Sequence, residues 1–233
     1  MSDQVRSTYT GGITEIIIDR PPVNALDFGT IEALASAFEG ADRKNPVLLT
    51  GGGSVFSAGV DTKAFAAYTP AEKAGMIRAI TRMTASLVCH PAPVIAAVSG
   101  HALGGGFVLM LCADVRLITD AASARFGLTE SQAGVPFPAG PLEIIREEIE
   151  PSLLRRLTLT SQVIGSDTLM ECGIADQSVP QSTLIETARA RALTVAAQPA
   201  FTRVKQQVRG RLMAALRTLA DSGIDPVAQS FDL

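Results

Sequence analysis

The apolar positions change period along the chain, and the period names the element. Ile13-Thr14-Glu15-Ile16-Ile17-Ile18 alternates and then turns wholly apolar, as a strand does when it runs into a core. Arg20-Pro21-Pro22-Val23-Asn24 reads as an extended turn, because each residue before a proline is pushed out of helical space. Asp27 can cap a helix whose Ile31, Leu34, Ala35 and Phe38 fall at i, i+3, i+4 and i+7. Val47-Leu48-Leu49-Thr50 is a short buried strand that Gly51-Gly52-Gly53 ends, and Phe56 to Asp61 is a loop of small residues leading to Lys63. Thr69-Pro70-Ala71-Glu72 is a capping box with proline at the first helical position. The helix it opens carries Met76, Ile80, Met83 and Leu87 on one face and stops before Pro91 and Pro93.

The centre of the chain has a different pattern. Val94 to Val98 is a buried strand, Gly104-Gly105-Gly106 follows Ser99 to Leu103, and Phe107 to Leu111 is an apolar helix. Three consecutive glycines weaken any element that holds them, so their use lies in letting something approach the backbone closely. The first turn of the next helix also leaves its N–H groups without partners at the positive end of the dipole. Val115 to Ile118 and Ala124 to Gly127 read as further strands, the second ending near Glu130, and Gly134 to Pro138 as a stiff apolar loop. From Leu142 the pattern is mainly helical: a short helix over Ser166 to Cys172 closed by Gly173, then extended chain from Ile174 to Val179. A second capping box (Thr183, Glu186) opens a helix running to Pro199, and a helix with Arg203, Lys205, Arg209, Arg211 and Arg217 comes last. Strands alternating with helices, and helices gathered towards the C-terminus, define an α/β chain.

Composition narrows the function classes. At 233 residues, 47% hydrophobic and 18% charged, the chain can bury a large core. A net charge of −3 argues against a general nucleic-acid binder, and the arginines of the last helix read as a solvated face. No apolar run reaches membrane-spanning length, and Met1 to Thr10 is too polar for a signal peptide. Cys89, Cys112 and Cys172 fit neither a disulfide framework nor a metal site; they read as three buried thiols in a reducing cytoplasm.

The glycines match neither a P-loop nor a dinucleotide fingerprint, and no Gly-x-Ser-x-Gly elbow is present. His90 and His101 lack a partner acid or cysteine at a telling spacing and read as structural, so no metal centre is expected. What remains is two glycine turns, Ala58-Gly59-Val60 and Gly104-Gly105-Gly106, and one acid, Glu130, set between apolar stretches. The turns are either tight turns only, or two backbone donors aimed at one oxygen, an oxyanion hole worth roughly 3–4 kcal/mol per donor. Glu130 is either a surface glutamate or a carboxyl whose apolar surroundings raise its pKa and suit it to pass a proton. Asp61, Asp114 and Asp120 are poorer candidates for that work.

Four segments carry a resemblance to the crotonase (enoyl-CoA hydratase/isomerase) superfamily: Pro22-Val23-Asn24-Ala25-Leu26, Phe56 to Lys63, Ala96 to Gly106, and Phe126-Gly127-Leu128-Thr129-Glu130. In this order they are specific, and the likeness runs from Ile13 to about Leu219. It implies a spiral of ββα units over 1–190 and a C-terminal helical region over 191–233, shorter than is usual, that packs trimers, often paired into hexamers. It implies an acyl-CoA thioester as substrate and no bound cofactor. It sets the thioester oxygen between the N–H groups of Val60 and Gly105. Coenzyme A then lies along Ala58, Val60, Asp61, Thr62 and Lys63, with Val23 and Ala25 alongside. The acyl wall is expected to involve Phe65, Ile80, Met83 and Phe137.

Hydratases of that family usually hold water between two glutamates. One matches Glu130; the other falls at Val108, where no acid stands. A single base is enough to move a double bond, taking a proton from C2 and returning it at C4 while the oxyanion hole holds the dienolate. Pro21-Pro22-Val23-Asn24 and Gly127 to Gln132 are similar to the Δ3,Δ2-enoyl-CoA isomerases in particular. The expectation is therefore an isomerase with Glu130 as proton shuttle, followed by an enoyl-CoA hydratase with one glutamate, then a non-catalytic acyl-CoA binder.

Overall fold

The computed structural model describes residues 4–231. It begins with a hairpin: β1 (Val5–Thr10) pairs antiparallel with β2 (Ile13–Ile18) around Gly11-Gly12, both at positive φ. The apolar pattern did not predict β1. Only Val5 is buried and the other five residues face solvent, so as an edge strand it needs no apolar stripe.

From there the chain repeats one manoeuvre. After α1 (Phe28–Gly40), β3 (Val47–Gly51) and β4 (Val55–Ser57) are followed by α2 (Thr62–Ala67) and α3 (Pro70–Val88). Then β5 (Val94–Val98) and β6 (His101–Leu103) are followed by α4 (Gly105–Cys112), and β7 (Val115–Thr119) and β8 (Phe126–Gly127) by α5 (Glu130–Ala133). In each round the first strand joins one sheet and the second joins another. The chain continues through α6 (Ala139–Glu148), α7 (Pro151–Leu159), β9 (Val163–Ile164), α8 (Ser166–Glu171) and β10 (Gln177–Val179) to α9 (Leu184–Ala196), α10 (Phe201–Ser222) and α11 (Pro226–Gln229). The six-stranded sheet runs β1-β2-β3-β5-β7-β10, all parallel beyond the hairpin; the four-stranded sheet runs β4-β6-β8-β9, parallel up to β8. This is the expected spiral of ββα units.

The six-stranded sheet is covered on both faces, which is why its central strands read as unbroken apolar runs. One face meets α1 and α3 through Leu34, Phe38, Met76 and Met83. The other takes Leu184, Ala188, Ala192 and Val195 of α9 against Ile13, Leu48, Ile95 and Leu117. The Thr69–Glu72 capping box forms as expected, and Asp27 caps α1 by accepting from the Thr30 N–H. The box expected at Thr183 does not form. Thr183 takes a helical conformation, and its hydroxyl donates to the Pro180 carbonyl instead. Cys89 and Cys112 are buried, but Cys172 is exposed, because it lies at the end of the short helix α8, of which only Leu169 reaches the core. Burial pushes the Cys112 thiol up to about 12.

The last long helix also departs from expectation. Arg203, Arg211 and Arg217 are exposed, but Lys205 and Arg209 are turned inward. The Lys205 ammonium donates to Asp114 at 2.6 Å; Arg209 bridges Asp114 at 2.9 Å and Glu148 at 2.6 Å; Arg116 reaches the other oxygen of Glu148. Burial lowers the Lys205 pKa while Asp114 opposes the shift. The helix period could not show this, since the acids that recruit these cations come from the α4–β7 corner and from α6. No helix of the described residues is long and apolar enough to cross a membrane.

Removing one member of a buried pair strands the other charge. Asp114→Ala is therefore expected to cost about 3–5 kcal/mol in urea unfolding. Lys205→Met should cost clearly less, because Arg209 keeps Asp114 paired. Equal costs would show that the cluster does not act as a unit.

Candidate active site

Three adjacent parallel strands of the smaller sheet, β4, β6 and β8, end side by side. Beyond β4 come Ala58-Gly59-Val60, beyond β6 Gly104-Gly105, and beyond β8 Thr129-Glu130. The carboxyl ends of parallel strands are where open α/β sheets place ligands. Here the topology brings together residues that the sequence separates by tens of positions.

Hydrogen bonds hold the first turn in place. Asn24, buried and at positive φ, donates to the carbonyls of Gly52 and Val55, and its side-chain oxygen accepts from the Arg20 N–H. Residues 23–26 then run beside 58–61: Ala58 N–H donates to Val23, Leu26 N–H to Gly59 and Asp61 N–H to Leu26. That alternation leaves the Val60 N–H out of the ladder, with no acceptor among the described residues. The Gly105 N–H, at the first position of α4, has none either.

The glycines permit the approach of the two turns. Gly59 has a φ of +83°, and a Cβ there would stand 2.5 Å from the Leu103 carbonyl and 2.9 Å from the Gly105 nitrogen. Gly104 has a φ of +51°, and a Cβ there would lie 3.3 Å from Glu130 Oε1. Gly106 packs so closely on Ser57 that a side chain would strike the Ser57 carbonyl.

Val60, Gly105 and Glu130 line one narrow cavity of about 40 Å³, with room for a few water molecules at most. Its wall is apolar and includes Phe65, Ile80, Met83 and Phe137, with Leu26, Ile77 and Val108. Among the described residues Glu130 is the one acid in that lining. Its Oε2 is buried and has no hydrogen-bond partner. Burial pushes the carboxyl up to about 7, a shift that its own backbone N–H opposes only in part. Val108, where a second glutamate would project, is 2% exposed and packed in the wall.

Val60 also lines a second, wider and more polar cavity of about 850 Å³. Ala58, Asp61, Thr62, Lys63, Val23 and Ala25 line it too, so all the residues assigned to coenzyme A share one opening. Arg20 was not singled out from the sequence, although it lines the same opening. It donates to Asp61 at 2.8 Å and lies 3.2 Å from Asp27. The Ala64 amide and Arg20 hold Asp61 below the usual carboxylate range, and Asp61 itself caps α2. Asp114 belongs to the ion cluster, far from this chemistry in role. His90 is buried with Nε2 2.9 Å from the Asn45 carbonyl. No group of three or more His, Cys, Asp or Glu able to hold a metal ion occurs among the described residues. The last described residues lie near the site: α11 packs on α3, and the Phe231 ring meets Phe65 edge-on at 6.0 Å.

The ββα spiral thus gathers, around one narrow cavity, two backbone amides without an acceptor among the described residues and one buried carboxyl. The chain belongs to the enoyl-CoA hydratase/isomerase family, whose model it matches over residues 8–225. It is 35% identical over 201 residues to a carnitinyl-CoA dehydratase of Salmonella typhi, covering 81% of this chain and 73% of that protein. Among solved structures it resembles a probable enoyl-CoA hydratase of Mycobacterium tuberculosis (TM-score 0.86, 28% identity, 99% of this chain and 97% of that one). It also resembles the human mitochondrial Δ3,Δ2-enoyl-CoA isomerase (TM-score 0.87, 25% identity, 98% and 90%). The protein is thus an enzyme of the crotonase superfamily, which works on coenzyme A thioesters.

The pKa of Glu130 sets a pH dependence of stability. A carboxyl raised from 4.5 to about 7 on folding favours the folded state fully below pH 4.5, and that contribution is lost as pH rises through 7. Glu130→Gln removes the burial cost of the charge. It should therefore gain stability over the native protein between about pH 5 and pH 8, by up to about 3 kcal/mol, read from urea midpoints. A difference that does not change with pH would contradict the burial of this carboxyl.

Proposed function

We propose that the protein is an enoyl-CoA isomerase in which Glu130 carries the proton. The observation that bears most weight is the unpartnered Glu130 Oε2 in an apolar cavity shared with the free amides of Val60 and Gly105. The substrate is a 3-enoyl-CoA. Its coenzyme A portion lies in the wider opening against Ala58 to Lys63, Val23 and Ala25, and its acyl part enters the narrow cavity past Val60. The thioester oxygen accepts from Val60 and Gly105. Ionised Glu130 takes a proton from C2, and the electron pair spreads over the dienolate to the oxygen held by the two amides. Protonated Glu130 then gives the proton to C4, the double bond comes to rest between C2 and C3, and the carboxylate is ready again. A carboxyl near 7 suits both halves of the exchange at neutral pH.

The apolar wall supports this reading over hydration. Water addition needs a water held for attack on C3, and Val108 offers no acceptor to hold one. Hydration or dehydration stands second because relatives such as that of Salmonella typhi carry the name dehydratase. In either case the region 191–233 is read as the helical part through which copies associate into trimers or paired trimers, in the cytoplasm.

Purified protein with a 3-enoyl-CoA is expected to yield the 2-enoyl product, and Glu130→Gln to lower kcat by about 10²–10⁴-fold. For the native enzyme kcat/KM should rise with pH through about 7, as Glu130 ionises. Full activity in Glu130→Gln, or faster hydration of crotonyl-CoA than isomerisation, would overturn the assignment.

A further inference from the structure

The narrow cavity has a larger neighbour at Glu130. On the far side of that residue lies a third cavity of about 590 Å³, between the 130–137 segment and helices α6 and α7. Glu130, Val135, Pro136 and Phe137 line both, so they form the partition between the two spaces. The larger space therefore adjoins the narrow cavity at the residue to which the proposed proton transfer is assigned.

Its lining has two chemical parts. The floor is apolar: Phe137, Leu142, Ile145, Leu154 and Leu159, the last 72% exposed and so left uncovered by the fold. The rim carries Arg146 from α6 and Arg155 from α7, both exposed. Arg155 has no ion-pair partner among the described residues, and Arg146 has only Glu143, at 3.5 Å and well exposed. Among the described residues Glu130 is the one acid in this lining, and Arg146 and Arg155 are its cations.

We propose that this cavity receives the distal part of the acyl chain, and that Arg146 and Arg155 select chains ending in a carboxylate over chains ending in a methyl or a cationic group. The proposal rests on the thioester reading of the site. An aliphatic segment covers the apolar floor and takes Leu154 and Leu159 out of water. A terminal carboxylate then meets guanidinium groups whose fork suits it, whereas a trimethylammonium end meets like charge. Both arginines are exposed, so the gain is that of a screened pair, not of a buried one.

The test measures binding of three saturated acyl-CoAs of about eight carbons, ending in methyl, carboxylate and trimethylammonium, by calorimetry at low salt. Saturated chains bind without reacting, so the readout does not depend on catalysis. The native protein is expected to bind the carboxylate-ended thioester about five- to tenfold more tightly than the methyl-ended one, and the cationic one least. The double variant Arg146→Gln, Arg155→Gln, with its folding checked by thermal unfolding, should lose that ranking, as should the native protein at high salt. A native protein without the preference, or a variant that keeps it, overturns the proposal. If none of the three binds while but-3-enoyl-CoA is still isomerised, the cavity does not take acyl chains and only this inference fails. If but-3-enoyl-CoA is neither bound nor converted, the thioester reading has failed with it.

Discussion

Everything at the site depends on how closely two stretches of backbone can approach each other. The Gly59 and Gly104-Gly105 turns meet at a separation that a single Cβ would prevent, as the 2.5 Å and 2.9 Å contacts at Gly59 show. The approach is held by parts of the fold that take no part in chemistry. Asn24 pins the 20–26 turn, the ladder between 23–26 and 58–61 orients Val60, and the smaller sheet sets β4 beside β6. In the proposed reaction, donors fixed in this way need no reorganisation when charge develops in front of them.

The carboxyl beside them is governed by the opposite effect. Nothing among the described residues compensates Glu130 Oε2, and burial in the apolar wall pushes its carboxyl up to about 7. A second acid at Val108 would have changed both the field and the water content of that space. On the proposed reading, stability at this point is given up in return for a group that can hold or release a proton at neutral pH.

Elsewhere the molecule buries charge for a different end. Lys205 and Arg209 of α10 meet Asp114 and Glu148, and the cluster locks the last long helix to the spiral, although the Arg209 and Arg116 Nε atoms are buried without a partner among the described residues. Here each charge has an opposite partner, three cations sharing two acids. The contrast with Glu130 separates the two uses of a buried ionised group: paired, it fixes one element against another; unpaired, it is available to a ligand.

Much of the architecture was legible in the chain itself. The unbroken apolar runs at Val47 to Thr50 and Val94 to Val98 announced strands buried on both faces, and the Thr69–Glu72 box announced α3, because period and capping are local properties. The order of the glycine turns and Glu130 was enough to indicate the family. Other features were invisible to that reading because they depend on contacts between distant segments. β1 carries no apolar stripe, since its pairing comes from the backbone of β2. Thr183 lost its capping role to the Pro180 carbonyl. Lys205 and Arg209 looked like a solvated face until α10 was laid on Asp114. Arg20 reached the wider opening only through its contacts with Asp61 and Asp27. What the sequence by itself determined was the set of elements and the residue types available for chemistry. Which donors stay unengaged, which carboxyl is buried without a partner, and which arginines stand beyond it were decided only when the ββα spiral brought the ends of β4, β6 and β8 together, because desolvation and hydrogen-bond satisfaction are properties of a site's surroundings and not of its sequence neighbours.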